Sequence, residues 1–344
     1  MESFQSKIEK ELAKVYIILV NYKSWNDTIE CLESVLKSSY QNFQIIIVDN
    51  SPTDESIHQL SAWNLGEFEN ISTNFEELVF PLESKPLPNI LVSEEDLKKG
   101  EVFDQKILIV KARENKGFSA ANNIALKYVK NVADNEARIW LLNNDTVVPK
   151  NTLSQLLFET YKTKRPGIVG SMLLEYYEPN EIQAIGGKYN PWIGRIKLVG
   201  KGKRKNLKKV KYDYPIGASM FLTFNFLKDV GLMEESYFLY FEEYDWVIRG
   251  NKEGYTSYVL LDTIVYHKGG SSTEGSTSKI VDFYGIRSKI LFTRKFFPFL
   301  LPLLYLSFTV FLFNRISRRQ LDRIPMVFKL IINPTLTYNE AIRK

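Results

Sequence analysis

Val15-Tyr16-Ile17-Ile18-Leu19-Val20-Asn21-Tyr22 and Ile45-Ile46-Ile47-Val48-Asp49-Asn50-Ser51 decide the fold. Each is a short aliphatic run that stops abruptly in polar residues, the pattern of a strand buried on both faces. Ile107–Val110 and Ile139–Leu142 repeat it. Between the first two runs Ile29, Leu32 and Leu36 mark one face of a helix, with Asp27 and Glu30 spaced as a capping box. Further helices are expected from near Ser51-Pro52, with proline in the first turn, and from Ser119 to Lys130. The rhythm is strand, helix, strand, insertion, strand, helix, strand. It predicts an α/β fold with a mostly parallel central sheet flanked by helices, whose ligands gather beyond the carboxyl ends of the strands.

Outward from this core, 344 residues leave room for about two domains. Hydrophobic residues at 44% and charged residues at 25% exclude disordered and polytopic membrane classes. Cys31 is the only cysteine, which excludes an internal disulfide, and two histidines exclude a His-rich metal cluster. The opening MESFQSKIEKELAK lacks an apolar core, so no secretory signal is expected and a cytoplasmic setting follows.

Charge is distributed unevenly. Residues 64–105 carry ten acids against three bases and read as a surface insertion. From Arg195 to Lys211 there are nine Lys or Arg and no acid. That run is either a solvated loop or a site for an anionic lipid or diphosphate acceptor. It lacks interleaved aromatic residues, and no zinc or helix-turn-helix signature accompanies it, so nucleic acid is not an expected partner. Phe296–Phe313 is uncharged over eighteen residues, broken early by Pro298 and Pro302 and flanked by basic residues on both sides. It reads as an element dipping into one leaflet, with a span, or a buried helix or oligomer contact, as the alternatives.

The strand ends hold the candidate chemistry. Asp49 is placed to accept a hydrogen bond from a pyrimidine imide, although a capping acid would look the same. Asn115-Lys116-Gly117-Phe118 precedes a helix whose first N–H groups could meet a phosphate, or is a plain tight turn. Asp145, in Asn143-Asn144-Asp145, is a hard oxygen ligand suited to Mg²⁺ or Mn²⁺ with a diphosphate completing the shell.

Val20-Asn21-Tyr22, Val48-Asp49-Asn50-Ser51, Asn115-Lys116-Gly117-Phe118 with Asn122-Asn123, and Asn143-Asn144-Asp145 stand in the order found in family 2 glycosyltransferases. The sequence resembles that family, particularly its bacterial rhamnosyltransferase-like branch, over roughly residues 14–298 apart from the acidic insertion. The resemblance implies a Rossmann-like fold of GT-A type spanning 1–295, followed by an apolar, helical membrane-associating segment at 296–344. It assigns Asn21, Tyr22, Asp49, Asn50, Asn115, Lys116, Gly117, Asn122, Asn143 and Asn144 to the donor nucleotide. Asp145 corresponds to the metal residue of a DxD motif in which Asn143 replaces the first Asp. His267 corresponds to a histidine that meets the metal or the leaving diphosphate; read alone, it would be a packing or surface residue. Gly217, Ala218 and Trp246 fall on the acceptor side. Phe238–Arg249 resembles FxxxEDxDxxxR, making Glu243 the general base with Glu242 as the alternative, while Asp245 and Arg249 sit at the spacing of an intrahelical ion pair. Tyr284 and Arg287 resemble a segment near the active site.

The implied activity is inverting transfer of a sugar from a UDP- or dTDP-sugar, dTDP-rhamnose among them. The acceptor would be a hydroxyl of a saccharide or polyprenyl-diphosphate-linked saccharide, in cell-surface polysaccharide synthesis on the inner membrane face. The competing readings are a sugar nucleotidyltransferase, against which there is no Gly-rich basic signature near the first strand, and an inactive nucleotide-sugar-binding scaffold. The oligomeric state is not encoded in these motifs.

Overall fold

The four apolar runs become neighbouring strands with alternate side chains sent into two different cores. The computed structural model describes residues 13–202, 207, 210–269 and 278–343. Residues 1–12, most of the basic run beyond 202, and residues 270–277 after His267 lie outside the described residues.

In chain order the first half comprises β1 (Val15–Asn21), α1 (Trp25–Leu36), β2 (Phe43–Asp49), α2 (Glu55–Asn64), α3 (Glu76–Val79), β3 (Asn89–Ser93), α4 (Glu94–Lys98), β4 (Ile107–Lys111), α5 (Phe118–Val132) and β5 (Arg138–Asn143). There follow β6 (Thr146–Val147), α6 (Thr152–Lys162), β7 (Pro166–Glu175), β8 (Ile182–Ala184), β9 (Gly186–Asn190), β10 (Arg195–Val199) and β11 (Ser219–Thr223). The last elements are α7 (Phe224–Val230), α8 (Glu242–Lys252), β12 (Thr256–His267), α9 (Lys279–Phe296), α10 (Leu301–Ser317), α11 (Ile324–Ile332) and α12 (Tyr338–Ile342).

The main sheet runs β3-β4-β2-β1-β5-β11-β7-β12-β6, with β8 added beside β7. Strands β1 to β5 pair in parallel, β11 runs against β5 and β7, and β12 is parallel to β7. The carboxyl ends of β1, β2, β4, β5 and β12 therefore share one edge with the entrance to β11. Ile17, Ile45, Ile109 and Trp140 face α1, α2 and α6. Ile18, Ile46, Leu108 and Leu141 face α5, α7 and α8. Both faces are covered, so these strands lack the alternation of polar residues seen in a half-exposed sheet.

Three expectations change. The acidic segment is more than a surface insertion: its β3 pairs in parallel with β4, from Asn89 opposite Ile107 onward, and forms the sheet edge. The helix expected at Ser51-Pro52 begins at Glu55. Asp27 and Glu30 form no capping box; Ser24 is the N-cap residue and makes no side-chain cap bond. The reason is tertiary, because both acids grip Lys268 at 2.6 Å.

Helices α9 to α12 build a separate cluster around Phe283, Ile286, Leu304, Phe308, Val327 and Leu330. The same α9 places Phe292 against Tyr237, Phe241 and Tyr189, so it joins the C-terminal helices to the sheet domain. Pro298–Ser317 is, among the described residues, long and apolar enough to cross a membrane by length and composition. Asp282 clamps this cluster: buried near the start of α9, it accepts from Arg315 at 2.6 Å and also pairs with Arg323. Replacing one partner of a buried pair strands the others, so Asp282→Ala should cost about 3 kcal/mol, measurable by urea denaturation.

Candidate active site

The end of β1 lies beside the end of β2, with Asn21 opposite Asp49. Fully buried, Asp49 accepts from Asn21 Nδ2 at 2.8 Å, from Ser51 Oγ at 2.7 Å and from Lys111 Nζ at 2.9 Å. Burial works against the Lys111 ammonium, but Asp49 and Asp54 outweigh it and raise its pKa. Asn21 Oδ1 accepts from Thr28 Oγ1 at 2.9 Å, and Asn144 Nδ2 reaches Ser24 Oγ at 2.8 Å and Thr28 Oγ1 at 2.9 Å. The amides of Asn21 and Asn144, expected on the nucleotide, are thus committed inward; they hold the floor of the site. Buried polar groups require such partners, and the strand ends supply them.

Asn50 Nδ2 donates to Asn115 Oδ1 at 2.8 Å, which also accepts from Gly117 N at 2.9 Å. This joins the loops after β2 and β4. Gly117 has φ +94°, and a Cβ there would lie 2.3 Å from the Phe238 carbonyl oxygen. That oxygen accepts from Phe118 N at 3.2 Å. One N–H at the start of α5, expected to await a phosphate, is therefore taken by the chain itself. Buried Asn122 donates to Phe118 O within its own helix, also away from its expected role. Exposed Lys116 pairs with Glu114, and Tyr22 is half-buried.

Beyond β5 the chemistry becomes denser. Asn143 N donates to Ala218 O at 3.0 Å, joining the strand end to the turn before β11. Asp145 Oδ1 lies 3.2 Å from His267 Nε2, and Asn143 Nδ2 lies 3.4 Å from the same nitrogen. His267 Nδ1 sits 2.7 Å from Gln183 Oε1, while Gln183 Nε2 donates to Glu175 Oε2 at 3.0 Å. This network places a proton on Nδ1 and turns Nε2 toward Asp145. A ring nitrogen facing a carboxylate can share a proton with it or a bound cation, and Asn143 Oδ1 is buried with no partner among the described residues. The set of carboxylate, amide oxygen and imidazole fits Mg²⁺ or Mn²⁺. Among the described residues no three His, Cys, Asp or Glu side chains cluster as a metal cage. Gln183 was invisible to the motif reading because it lies on a short strand with no pattern of its own. Lys268, next in sequence, donates through its N–H to Asp145 O at 3.0 Å. Burial opposes its charge, yet Asp27 and Glu30 raise its pKa further.

Glu242 and Glu243 open α8 immediately after Tyr240 (φ 71°) and Phe241 (φ 75°), two left-handed residues that carry side chains. Such backbone is strained and is retained where it aims something. A Cβ at Gly217 would lie 3.8 Å from Glu243 Cδ, so the turn before β11 abuts that carboxyl. Burial pushes the Glu243 carboxyl up to about 7, although part of the residue still meets solvent. Glu242 is buried, with Oε2 unpartnered among the described residues; burial first, then the Glu243 charge, raise its pKa well above the usual range. Asp245 pairs with Arg249 at 2.7 Å, as the i, i+4 spacing predicts, and with Lys295 at 2.7 Å. Trp246, expected on the acceptor side, is instead a core residue: fully buried against Phe226, it donates to Gly231 O at 2.9 Å. Ala218 is buried and acts through its carbonyl. Tyr284 stacks on Phe238 with ring centres 4.1 Å apart, and Arg287 donates to Ser236 O, bracing the segment before α8.

Contacts thus run without a break from Asp49 through Asn21 to Asn144, and from His267 through Asn143 and Ala218 to Gly217 and Glu243. All lie on one edge of the sheet. Residues 16–71 match glycosyl transferase family 2. This is the family that the ordered motifs resemble, matched here over the segment that holds the first two of them; the rhamnosyltransferase-like branch is not singled out. Over 141 residues the chain is 27% identical to the low-salt glycan biosynthesis hexosyltransferase Agl10 of Haloferax volcanii. That alignment spans 40% of this chain and 44% of the relative's length. A mannosyltransferase from Pyrobaculum calidifontis, solved in complex with GDP-Man and Mn²⁺, superposes with a TM-score of 0.52 at 13% identity. It covers 87% of this chain and 71% of its own. At that identity the likeness is one of fold, which is of GT-A type.

A raised carboxyl pKa means the folded protein holds a proton that the unfolded chain has released. Glu243 therefore costs stability progressively as pH climbs from about 4.5 through about 7, with no further loss above that. Glu243→Gln should raise the melting temperature relative to the parent at pH 8 and leave it nearly unchanged at pH 4.5.

Proposed function

We propose that the protein is an inverting glycosyltransferase that moves a sugar from a nucleoside-diphosphate sugar to a hydroxyl of a saccharide or lipid-linked saccharide. The observation that carries this reading is Glu243, its carboxyl raised to about 7, against the Gly217 turn on the edge that also holds Asn143, Asp145 and His267. The family match, the hexosyltransferase relative and the fold shared with a GDP-Man-bound mannosyltransferase support it.

The donor's diphosphate lies at the ends of β5 and β12 and its base toward the end of β2, where Asp49, Asn50 and Asn115 meet. UDP- and dTDP-sugars, dTDP-rhamnose among them, are the donors proposed. Asn143, Asp145 and His267 would hold a Mg²⁺ or Mn²⁺ ion. When bound, that ion neutralises charge on the departing diphosphate. Glu243 accepts the proton of the acceptor hydroxyl as its oxygen bonds to the anomeric carbon. The bond from that carbon to the diphosphate breaks on the opposite face, the nucleoside diphosphate keeps the electron pair, and the configuration inverts. Asn21 and Asn144 keep the strand ends together, and the Lys268 clamp holds the backbone that bears His267. The apolar α10 and its basic flanks suit an acceptor carried by a polyprenyl diphosphate at the cytoplasmic face of a membrane.

Glu243→Gln should lower transfer by roughly 10²–10⁴-fold while sugar-nucleotide binding, followed by thermal shift with Mn²⁺, stays within about twofold. Release of pyrophosphate instead of nucleoside diphosphate would make the protein a nucleotidyltransferase. Binding without turnover in the parent chain would make it a scaffold. Because the carboxylate form of Glu243 takes the proton, kcat/KM should fall about tenfold per pH unit below an apparent pKa near 7.

A further inference from the structure

One surface is not used by the sugar site. On α10 and the turn before it, Phe299, Leu303, Leu306, Val310 and Phe313 are exposed, Phe299 at 94%. Their spacing of three or four residues puts them on one face. The opposite face, with Leu304 and Phe308, is buried against α9 and α11. A helix docked lengthwise on its own protein in this way can offer a membrane only its outer face; crossing one would require stripping Leu304 and Phe308 from that cluster.

The β9–β10 hairpin meets the same helix. Ser307 Oγ donates to Ile193 O at 3.5 Å, and a Cβ at Gly194 would lie 2.5 Å from Leu304 Cδ1. At its tip Trp192 is 60% exposed and Ile193 is also open to solvent. A groove of about 470 Å³ beside them is lined by Lys188, Arg195 and Lys197. None of these three has an acidic partner within 4 Å among the described residues, nor has the neighbouring Lys289. Burial first, and then Arg195, lower the Lys289 pKa. An exposed indole, an aliphatic tip and uncompensated cations complement one occupant, an anionic lipid surface. Its acyl boundary takes the apolar groups and its phosphates take the cations.

We propose that the Trp192–Ile193 tip is a second lipid anchor, which docks with the outer face of α10 into the headgroup layer of an anionic leaflet. The proposal deepens the reading of a membrane-borne acceptor and rests on it for its biological sense, though not for its test. It also joins membrane to chemistry. Tyr189, four residues before Ile193, packs edge-on against Phe241 and at a tilt against Tyr244, with ring centres 5.7 and 5.6 Å away; these residues stand on either side of the Glu242–Glu243 pair.

The full chain is tested by flotation with vesicles of phosphatidylcholine, alone or with about one-third phosphatidylglycerol. The parent should bind the anionic vesicles and weaken as salt rises. The double variant Trp192→Ala, Ile193→Ser should partition about tenfold less. Arg195→Ala with Lys197→Ala should lose roughly ten- to thirtyfold on anionic vesicles only. Trp63, Trp140 and Trp246 are buried and Trp25 is half-buried, so a blue shift on adding vesicles that disappears in Trp192→Phe reports insertion of the tip. Equal binding by the parent and the tip variant, or no shift on bound vesicles, overturns the proposal. So does displacement by millimolar inorganic phosphate, which would mark a free-anion pocket, or a soluble dimer that covers Trp192 and ignores vesicles. Thermal shift with sugar nucleotides, run on the same variants, should match the parent. A chain that floats yet binds no nucleotide defeats the transferase reading alone.

Discussion

Asn21 carries the constraint on which the site depends. It is wholly buried at the point where β1, β2, α1 and the turn after β5 converge, and its single amide serves several of them at once. Strand ends expose backbone and side-chain polar groups that cannot be left unmatched in a dry interior. Matching them here forces Asp49 and Asn144 into fixed positions, and Asn143 and Asp145 take theirs from the turn that Asn144 anchors. The reactive groups sit on a floor whose own polar needs are met internally, so their geometry does not wait on a ligand.

Burial opposes charge on two sets of groups along this edge, with opposite outcomes. Around Lys268 the enclosed ammonium meets two carboxylates and stays charged. Around Glu242 and Glu243 no cation is in ion-pair contact among the described residues, so desolvation and mutual repulsion favour the neutral acids. A charged, inert anchor and a proton-accepting pair follow from the same loss of water. The difference lies only in which partners share the enclosure.

Much of this was legible in the sequence, for identifiable reasons. Strands β1, β2, β4 and β5 announce themselves because a strand covered on both faces must be apolar throughout. Asp245 and Arg249 were readable because a helix fixes the distance between residues four apart. Strand β3 was hidden, since an edge strand within an acidic stretch needs few apolar residues. Asp27 and Glu30 matched a local capping pattern but answer to a lysine 238 or more residues away, a contact that no spacing rule contains. Trp246 was placed by its motif, yet the motif does not record which side of α8 faces the core. Gln183 orients His267 from a three-residue strand placed by its pairing with β7, a contact between segments that no local pattern records.

At Gly117 the loop after β4 and the segment leading into α8 touch backbone to backbone, with no room for even a methyl group between them. The two loops are therefore one mechanical part. A displacement of either loop is handed directly to the other before any side chain has turned.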